Sequence, residues 1–325
     1  MPKKIILDVD TGSDDAIALM TAILSPDIDL VAACSVAGNN PIRFTTENTL
    51  RVVEAMDADV PVYRGASAPV MKDLMPDRLP DTARHSFERD GEIVQIHRKY
   101  LDLPAATRIP EPLPAAMFYV DYLRRAAEPV TLVLVGPLTN FAIALMMDPD
   151  IVKNVEEIII MGGGDQESNV SVSAEFNVFF DPEAALWVLR SGAKITWVPL
   201  DATHAAYLTA ADADALRATD SLAGKCAADL LEQRIVIHSH LQPLEVPDAA
   251  AVHDALAVCY AIDPTVLNDV HHVHMAIGLS GYADGQTIID PRYYPEARNC
   301  HFAYGTDRVK FGTMLREILG NGPKA

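Results

Sequence analysis

The sequence predicts an α/β fold: a doubly wound, mostly parallel, Rossmann-like sheet with a small antiparallel C-terminal extension. Apolar, strand-like runs alternate with helix-like segments along all 325 residues. No Ser/Gly linker, charge block or shift in composition interrupts this alternation, and 50% of the residues are hydrophobic. A chain of this length and composition can bury one large core. We therefore expect a single domain over residues 1–325.

The first predicted strand and helix carry the most informative feature, four carboxylates within eight residues. The apolar run KKIILDVD fits a buried parallel strand, and TGSDDAIALMTAIL continues as a helix. Alternation along the strand predicts that Asp8 and Asp10 leave it on one face, whereas Asp14 and Asp15 begin the helix. A helix start favours one or two acids as caps. Four crowded acids repel one another unless a hard divalent cation neutralises them, which favours a metal site.

The next elements lead to a long irregular segment. A strand in DIDLVAACSVAGNN is followed by a helix in TTENTLRVVEAM, for which Thr45 or Thr46 is the expected N-cap, and by a short strand, PVYRG. Residues 66–114 are rich in Pro, Asp and Arg and show no sustained period apart from a possible helix at about 92–100. So long an excursion in a compact domain predicts a lid over a functional site.

The rest of the chain returns to alternating strands and helices. Predicted strands lie in VTLVLVG, VEEIIIMGGG and KITWVPLD, and predicted helices lie near 115–127, in FAIALMM and near 182–190. A mixed helical region to about residue 241 precedes a helix at about 254–262. The tail predicts an antiparallel pair, HHVHMAIGLS with GQTIID, and a closing helix in DRVKFGTMLREIL.

Charge and cysteine content narrow the class of protein. The formal net charge is −19 at pH 7, which argues against binding to nucleic acid or to anionic membranes. No apolar stretch reaches transmembrane length, and aspartate interrupts the N-terminal apolar run before a secretory signal could form. The four cysteines lack CxxC spacing and suit free thiols in a reducing compartment. We expect a cytoplasmic protein whose partner is a small molecule.

Polar residues recur where the predicted strands end, which is where sheets of this type bind ligands. The acids after the first strand are joined by Asn39 and Asn40, the GPLTN turn, three glycines at 162–164, SAEFN and VHD. No GK[ST] or GxGxxG pattern accompanies the glycines. Amides and carboxylates dominate this set, whereas Lys and Arg are nearly absent. Such a set favours sugar hydroxyls, and a hard cation that can hold a diol, over a phosphate.

These motifs, in this order and spacing, resemble those of the inosine-uridine preferring nucleoside hydrolases. The resemblance rests on DVDTGSDDA at 8–16, AGNN at 37–40, GPLTN at 136–140, AEFN at 174–177 and HD at 253–254, and it covers essentially the whole chain. It implies calcium-dependent hydrolysis of the N-glycosidic bond of ribonucleosides. It also implies a homodimer or homotetramer and a role in purine and pyrimidine salvage.

The resemblance further implies roles for individual residues, each by its position in the motifs. Asp14 would be the general base for a calcium-bound water, and His253 would lie beside the leaving base. The Ca²⁺ ligands would be Asp10, Asp15, Asp254 and the backbone carbonyl of Val135. The substrate-binding residues would be Asn39, Met161, Asn169, Glu175, Phe176 and Asn177 for the ribose. Apart from the motifs, His85, His238 and His240 are further candidates near the base.

The chemistry of these residues suits that reaction. Cleavage of a glycosidic bond passes through an oxocarbenium-like state, which negative groups stabilise. A carboxylate can accept the proton of the attacking water, and a histidine can support departure of the base. The position before the last calcium aspartate is His253 and not a tryptophan, and the only tryptophans are Trp187 and Trp197. We therefore expect turnover of both purine and pyrimidine ribonucleosides.

Two other functions fit parts of the sequence. DVDTG superficially resembles the DxDx[TV] start of haloacid dehalogenase-like phosphohydrolases, but Thr11 is displaced by one position and no lysine or arginine for a phosphate stands out. A non-catalytic sugar-binding protein on the same scaffold would keep the diol-binding residues and lose the base, whereas Asp14 is present. We therefore favour the hydrolase.

Overall fold

The computed structural model describes residues 2–75, 86–89, 91–292 and 294–324. The strands are β1 (Lys3–Val9), β2 (Ile28–Ser35), β3 (Val62–Arg64), β4 (Ser86–Arg89), β5 (Glu92–Gln95), β6 (Val130–Leu134), β7 (Val155–Met161), β8 (Ile195–Val198), β9 (Leu208–Thr209), β10 (Ala249–Ala250), β11 (Leu267–Ile277), β12 (Thr287–Asp290) and β13 (Cys300–Thr306). The helices are α1 (Ser13–Leu24), α2 (Ile42–Ala55), α3 (Ala115–Arg125), α4 (Thr139–Met147), α5 (Phe176–Phe180), α6 (Pro182–Leu189), α7 (Leu200–Ala205), α8 (Ala210–Arg217), α9 (Leu222–Leu241), α10 (His253–Ile262) and α11 (Arg308–Leu319). Within these ranges, no helix has the length and apolar character needed to cross a membrane.

The main sheet confirms the predicted doubly wound architecture. Its strand order is β12-β11-β13-β8-β7-β6-β1-β2-β3, and the strands from β13 to β3 run parallel. From β1, the next two strands along the chain, β2 and β3, extend the sheet to one edge. The later strand β6 then pairs with the other side of β1. The strand order therefore reverses between β1 and β6, whose carboxyl ends frame the crevice in which such sheets bind ligands.

The C-terminal part supplies the small antiparallel extension. The predicted pair of tail strands is confirmed as β11 and β12, with His274 opposite Asp290 and Ile277 opposite Thr287. β13 was not predicted from the sequence; it pairs antiparallel with β11 and parallel with β8. β13 thus joins the tail strands to the parallel sheet.

Apolar side chains cover both faces of the sheet. On β1, Ile5, Leu7 and Val9 enter the core beneath α1, α9 and α10, whereas Ile6 enters the core beneath α3, α4 and α6. A strand buried on both sides needs a nearly continuous apolar sequence, because neither set of alternating side chains faces water. This requirement explains the run that opens the chain, and it leaves polar residues only at the strand ends.

Two expectations about the segments after β2 are wrong. The helix expected at about 92–100 is absent, since residues 92–95 form β5 and pair with β4 as a hairpin. Gly91 connects the two strands with φ +83, a conformation that favours glycine, and the β-branched Ile93 and Val94 suit a strand. The glycine at the turn and the β-branched residues therefore favour a hairpin over a helix here.

The second wrong expectation concerns the start of α2. This helix begins at Ile42, directly after Pro41, and not at a threonine cap. The threonine hydroxyls instead bond to the end of β2, because Thr45 Oγ1 donates to the carbonyl of Val36 at 2.8 Å and Thr46 Oγ1 lies 2.8 Å from Ser35 Oγ. These contacts fix the first turn of α2 against the strand.

Candidate active site

A cavity of about 510 Å³ opens at the crevice beside the carboxyl ends of β1 and β6. Asp15 has no exposed surface and lies beneath its wall, and His85 is outside the described residues. The topology therefore brings every other predicted site residue to one place. Those on the wall are Asp10, Asp14, Asn39, Val135, Met161, Asn169, Glu175, Phe176, Asn177, His238, His253 and Asp254.

Three buried carboxylates converge at the floor of the cavity. Asp14 and Asp15 at the start of α1 and Asp254 at the start of α10 each offer an oxygen, and these oxygens lie within 4.8 Å of one another. Burial, followed by the negative charge of Asp14, raises the pKa of both Asp15 and Asp254. A set of hard oxygen donors with uncompensated charge suits a divalent cation.

Asp10 lies at the edge of this group of three. Its Oδ2 accepts a hydrogen bond from the backbone N–H of Asn39 at 2.6 Å. A Cβ atom added at Gly136 would lie 2.9 Å from Asp10 Oδ1, and one added at Gly38 would collide with Oδ2. Glycine at both turns therefore lets the backbone close around the carboxylate. Burial, followed by the charge of Asp15, raises the pKa of Asp10.

Asp15, in the first turn of α1, also caps this helix. Its Oδ1 accepts from the backbone N–H of Asp10 at 3.0 Å, and its Oδ2 accepts from the backbone N–H of Gly12 at 2.9 Å and from Asn39 Nδ2 at 3.1 Å. These bonds hold the turn between β1 and α1 in a fixed shape. The capping interpretation of the acidic cluster thus applies to Asp15 in addition to its place in the convergent group.

Asp8 does not join the cluster, contrary to the expectation that it shares a face with Asp10. Asp8 accepts hydrogen bonds from the Tyr119 hydroxyl at 2.9 Å and from Asn140 Nδ2 at 3.1 Å, on the side of the sheet covered by α3 and α4. Burial raises its pKa to about 7. Asp8 therefore stabilises the packing of these two helices and does not line the cavity.

Arg234 of α9 is a buried cation in the site. Its Nη1 lies 2.9 Å from Asp14 Oδ1 and donates to Ser13 Oγ at 3.1 Å, while its Nε donates to the carbonyl of Ala251 at 2.8 Å. The arginine is 7% exposed. It partly compensates the charge of the carboxylates and holds one oxygen of Asp14 in a fixed direction.

Arg234 was not among the predicted site residues, because it lies within α9 and not at the end of a strand. A signal was present in α9, where Ala227, Leu231, Arg234 and His238 recur at helical spacing and all four are buried. An arginine within a buried stripe needs an anionic partner, and the sequence offers the clustered aspartates.

Three histidines surround this arginine. The ring centroids of His204, His238 and His253 lie 5.8 to 6.4 Å apart. Burial, followed by the charge of Arg234, lowers the pKa of all three, to about 3 for His238 and about 4 for His204. The rings are therefore neutral near pH 7, and they act as hydrogen-bonding groups and not as cations.

Amide and carboxylate side chains line the opposite part of the cavity, each held by backbone groups. Asn177 Nδ2 donates to the carbonyls of Val135 at 2.8 Å and Met161 at 3.2 Å, which leaves its Oδ1 for a ligand. Asn169 Oδ1 accepts from the backbone N–H of Phe176 at 2.9 Å, which leaves its Nδ2. The side chains are thus oriented before any ligand binds.

Glu175, which is predicted to bind the ribose, also accepts hydrogen bonds from three backbone N–H groups. Its Oε1 accepts from the backbone N–H of Asn177 at 2.9 Å, and its Oε2 accepts from those of Gly163 at 2.9 Å and Val178 at 3.2 Å, so that it caps α5. Burial raises its pKa to about 7. The carboxyl group therefore meets the cavity while it ties α5 to the end of β7.

The described part of the expected lid reaches the mouth of the cavity. Phe87 of β4 is 8% exposed and stacks on His240 of α9, with ring centroids 4.2 Å apart and planes at 14°. His240 lines the cavity together with Ile96 and His97, which follow β5. The hairpin therefore contacts the helix that carries Arg234 and His238.

Comparison with known protein families decides the identity of this site. The family model of the inosine-uridine preferring nucleoside hydrolases matches residues 5–313. The chain belongs to this family. It is accordingly a ribonucleoside N-glycosidase, and the nearly complete match does not favour a phosphohydrolase or a non-catalytic sugar-binding protein.

Individual relatives of this nucleoside hydrolase carry names with different base preferences. The pyrimidine-specific ribonucleoside hydrolase RihA of Shewanella sp. (strain MR-4) is 33% identical over 98% of this chain and 96% of its own length. RihA of Enterobacter sp. (strain 638) is 34% identical over 98% of each chain. The solved structure of a purine-preferring ribonucleoside hydrolase from Gardnerella vaginalis has a TM-score of 0.85 and 30% identity, and the match covers 98% of each chain.

Proposed function

We propose that this nucleoside hydrolase uses Ca²⁺ to hydrolyse the N-glycosidic bond of ribonucleosides, with Asp14 as the general base. The observation that carries the proposal is the convergence of Asp14, Asp15 and Asp254 on the floor of a cavity whose wall includes His253. This arrangement supplies a metal-binding end, a proton acceptor and a group for the leaving base within one cavity.

The donor set fits a hard divalent cation. Oxygen ligands are available from Asp10, Asp15, Asp254 and the carbonyl of Val135, and the raised pKa values of the three carboxyl groups reflect charge that a cation would compensate. Each carboxylate has lone pairs beyond those used by its backbone hydrogen bonds. When bound, such an ion neutralises the acids, holds a diol and lowers the pKa of water.

Asp14 is suited to accept the proton of the attacking water. One of its oxygens is held by Arg234 at 2.9 Å, and the side chain lines the cavity. The second oxygen is then directed by this contact, which is the kind of positioning that general-base catalysis requires. The surrounding carboxylates also favour the positive charge that develops on the ribose ring.

The amide side chains would bind the ribose of the substrate, and His253 would lie beside its base. Asn39, Asn169 and Asn177, with Met161, Glu175 and Phe176, would contact the ribose, because they surround the carboxylate end of the cavity. His253 would face the departing base. His238 would contribute to the wall near the base and not to the chemistry, because both of its ring nitrogens have partners within the protein.

Further properties belong to the same proposal. Free, mostly buried cysteines support a cytoplasmic location. The family resemblance supports a homodimer or homotetramer and a role in purine and pyrimidine salvage. The predicted lid spans residues 66–114, of which 76–85 and 90 lie outside the described residues; the described part, which includes the hairpin β4–β5, would act as a lid within a single domain.

A substrate panel tests the proposed reaction. We expect release of free base and ribose from uridine, cytidine, inosine and adenosine without added phosphate, at a rate that a chelator abolishes and Ca²⁺ restores. 2′-Deoxyinosine should be cleaved at least about a hundredfold less efficiently than inosine, because loss of a recognised hydroxyl leaves buried polar groups unpaired. Equal kcat/KM for inosine and its deoxy analogue would contradict the proposed sugar recognition, and dependence on phosphate would contradict hydrolysis.

A further inference from the structure

The three clustered histidines differ in what their ring nitrogens contact. His238 has both nitrogens engaged, with Nδ1 3.2 Å from the carbonyl of Gln242 and Nε2 3.3 Å from Arg234 Nη2. His204 does not line the cavity, and its Nε2 is buried with no partner in the described chain. His253 lines the cavity, and within the described residues only its Nδ1 has a hydrogen-bond partner. Its Nε2 therefore remains for a ligand.

The partner of His253 Nδ1 is the hydroxyl of Thr203, at 2.7 Å. Thr203 is 1% exposed and lies on α7, directly after β8. Its Oγ1 has one hydrogen and two acceptors in reach, the imidazole nitrogen at 2.7 Å and the carbonyl of Leu200 at 3.3 Å. The shorter contact has the length of a strong hydrogen bond from a hydroxyl, and the 3.3 Å contact with Leu200 is longer than such bonds usually are, which favours donation from the hydroxyl to Nδ1.

This direction determines the tautomer of the ring. A neutral imidazole carries one hydrogen, and when Nδ1 accepts a hydrogen bond that hydrogen lies on Nε2. In the opposite arrangement Nε2 would present a lone pair to a base that gains negative charge as the glycosidic bond breaks. The contact with Thr203 therefore decides whether His253 stabilises or repels the leaving group.

We propose that Thr203 is a positioning residue that holds His253 as the Nε2–H tautomer, so that the ring donates a hydrogen bond to the departing nucleobase. The inference rests on the proposed function. The C1′–N bond breaks and its electron pair passes to the base, the water oxygen bonds to C1′, and the water proton passes to Asp14. His253 keeps its hydrogen throughout, and the base takes a proton from solvent after release.

The tautomer can be measured without any activity. In protein labelled with ¹⁵N-histidine, the two-bond ¹H–¹⁵N spectrum distinguishes a protonated from an unprotonated ring nitrogen, and His253→Gln assigns the signals. We expect Nε2 to carry the hydrogen in the wild type and in Thr203→Ser, and we expect hydrogen on Nδ1 to appear in Thr203→Val. A wild-type ring with its hydrogen on Nδ1 would overturn the proposal.

Kinetics separate this role from a structural one. Thr203→Val should lower kcat for uridine or inosine about tenfold to a hundredfold, with KM within about twofold, and Thr203→Ser should restore it. The rate with p-nitrophenyl β-D-ribofuranoside should stay within about twofold, because nitrophenolate departs without a hydrogen-bond donor. Thr21→Val is a matched control, since Thr21 is also buried and its hydroxyl donates to the carbonyl of Ile17.

The outcomes distinguish the inference from the proposed function. Unchanged turnover of ribonucleosides by Thr203→Val, or an equal loss with both types of substrate, would overturn the positioning role. A wild-type protein that releases no base from any ribonucleoside would overturn the proposed function, and the tautomer measured in the same protein would still decide whether Thr203 sets the ring.

Discussion

Asp14 lies between a buried arginine and two other carboxylates. It contacts Arg234 on one side and shares the cavity floor with Asp15 and Asp254 on the other. The arginine is in turn fixed by Ser13 and by a backbone carbonyl. A carboxylate held in this way loses little entropy when it meets a water molecule, which is what a general base needs.

We expect Asp14→Asn to lower kcat for uridine at least about a hundredfold, while part of the substrate affinity remains, because the amide cannot accept the proton. Steady-state kinetics and equilibrium binding of uridine measure the two effects. The matched control is Asp8→Asn, another buried carboxylate that lies outside the cavity and accepts from Tyr119 and Asn140. Near wild-type turnover by Asp14→Asn would show that the base is misassigned.

Among the elements, the strands and the polar residues that follow them could be predicted from the sequence. Contacts between residues that lie far apart in the chain could not. The apolar run of β1 and the acids that follow it indicated both the strand and the site, since both depend on local order. The buried stripe of α9 indicates that Arg234 needs an anionic partner, but its contact with Asp14 depends on the packing of α9 against α1, which the local sequence does not encode. The hairpin β4–β5 was missed because each of its strands is only 4 residues long and the pairing between them is not visible in the local sequence.

The hairpin supplies a prediction about substrate binding. Phe87→Ala removes the ring that stacks on His240, so the hairpin should separate from α9 and KM for uridine should rise about fivefold to tenfold. The midpoint of thermal unfolding should change little, because the hairpin lies outside the main sheet.

Ile93→Ala is the matched control for the hairpin. Ile93 lies on β5 opposite Glu88 and is 72% exposed, so its truncation removes an apolar side chain from the same hairpin without removing the stack. We expect an unchanged KM for this variant. An unchanged KM for Phe87→Ala would contradict the idea that the hairpin acts as part of a lid.

At the scale of the whole molecule, the fold concentrates buried negative charge at the point where the strand order reverses. Burial and mutual repulsion raise the pKa values of Asp10, Asp15 and Asp254. Above about pH 4 these three carboxyl groups therefore bind more protons in the folded, metal-free chain than in the unfolded chain, and their contribution to stability falls as pH rises through the raised pKa values. The buried histidines have lowered pKa values, so below about pH 6.5 the unfolded chain takes up protons at these residues and the folded chain does not. The stability of the fold therefore falls as pH drops below about 6.5.

These opposing contributions lead to a prediction about calcium. Because Ca²⁺ must displace protons from the carboxyl groups, the rise in melting temperature on adding it should be larger at about pH 7.5 than at about pH 5.5. Protonation of the histidines changes the melting temperature both with and without the ion. Its effect therefore largely cancels when the two melting temperatures are subtracted. Thermal unfolding with Ca²⁺ and with chelator measures it, and Asp254→Asn should reduce the shift at both values. A shift independent of pH would contradict proton release from the cluster.

We propose that the acidic cluster holds the Ca²⁺ ion that ribonucleoside hydrolysis requires. Its most direct test is a calcium titration of metal-free protein in which bound metal and uridine hydrolysis are measured in the same samples. We expect hydrolysis to fall at least about a hundredfold on metal removal, to return in proportion to the bound ion, and to fail to return in Asp254→Asn. Undiminished uridine hydrolysis by protein that contains no metal would contradict the claim.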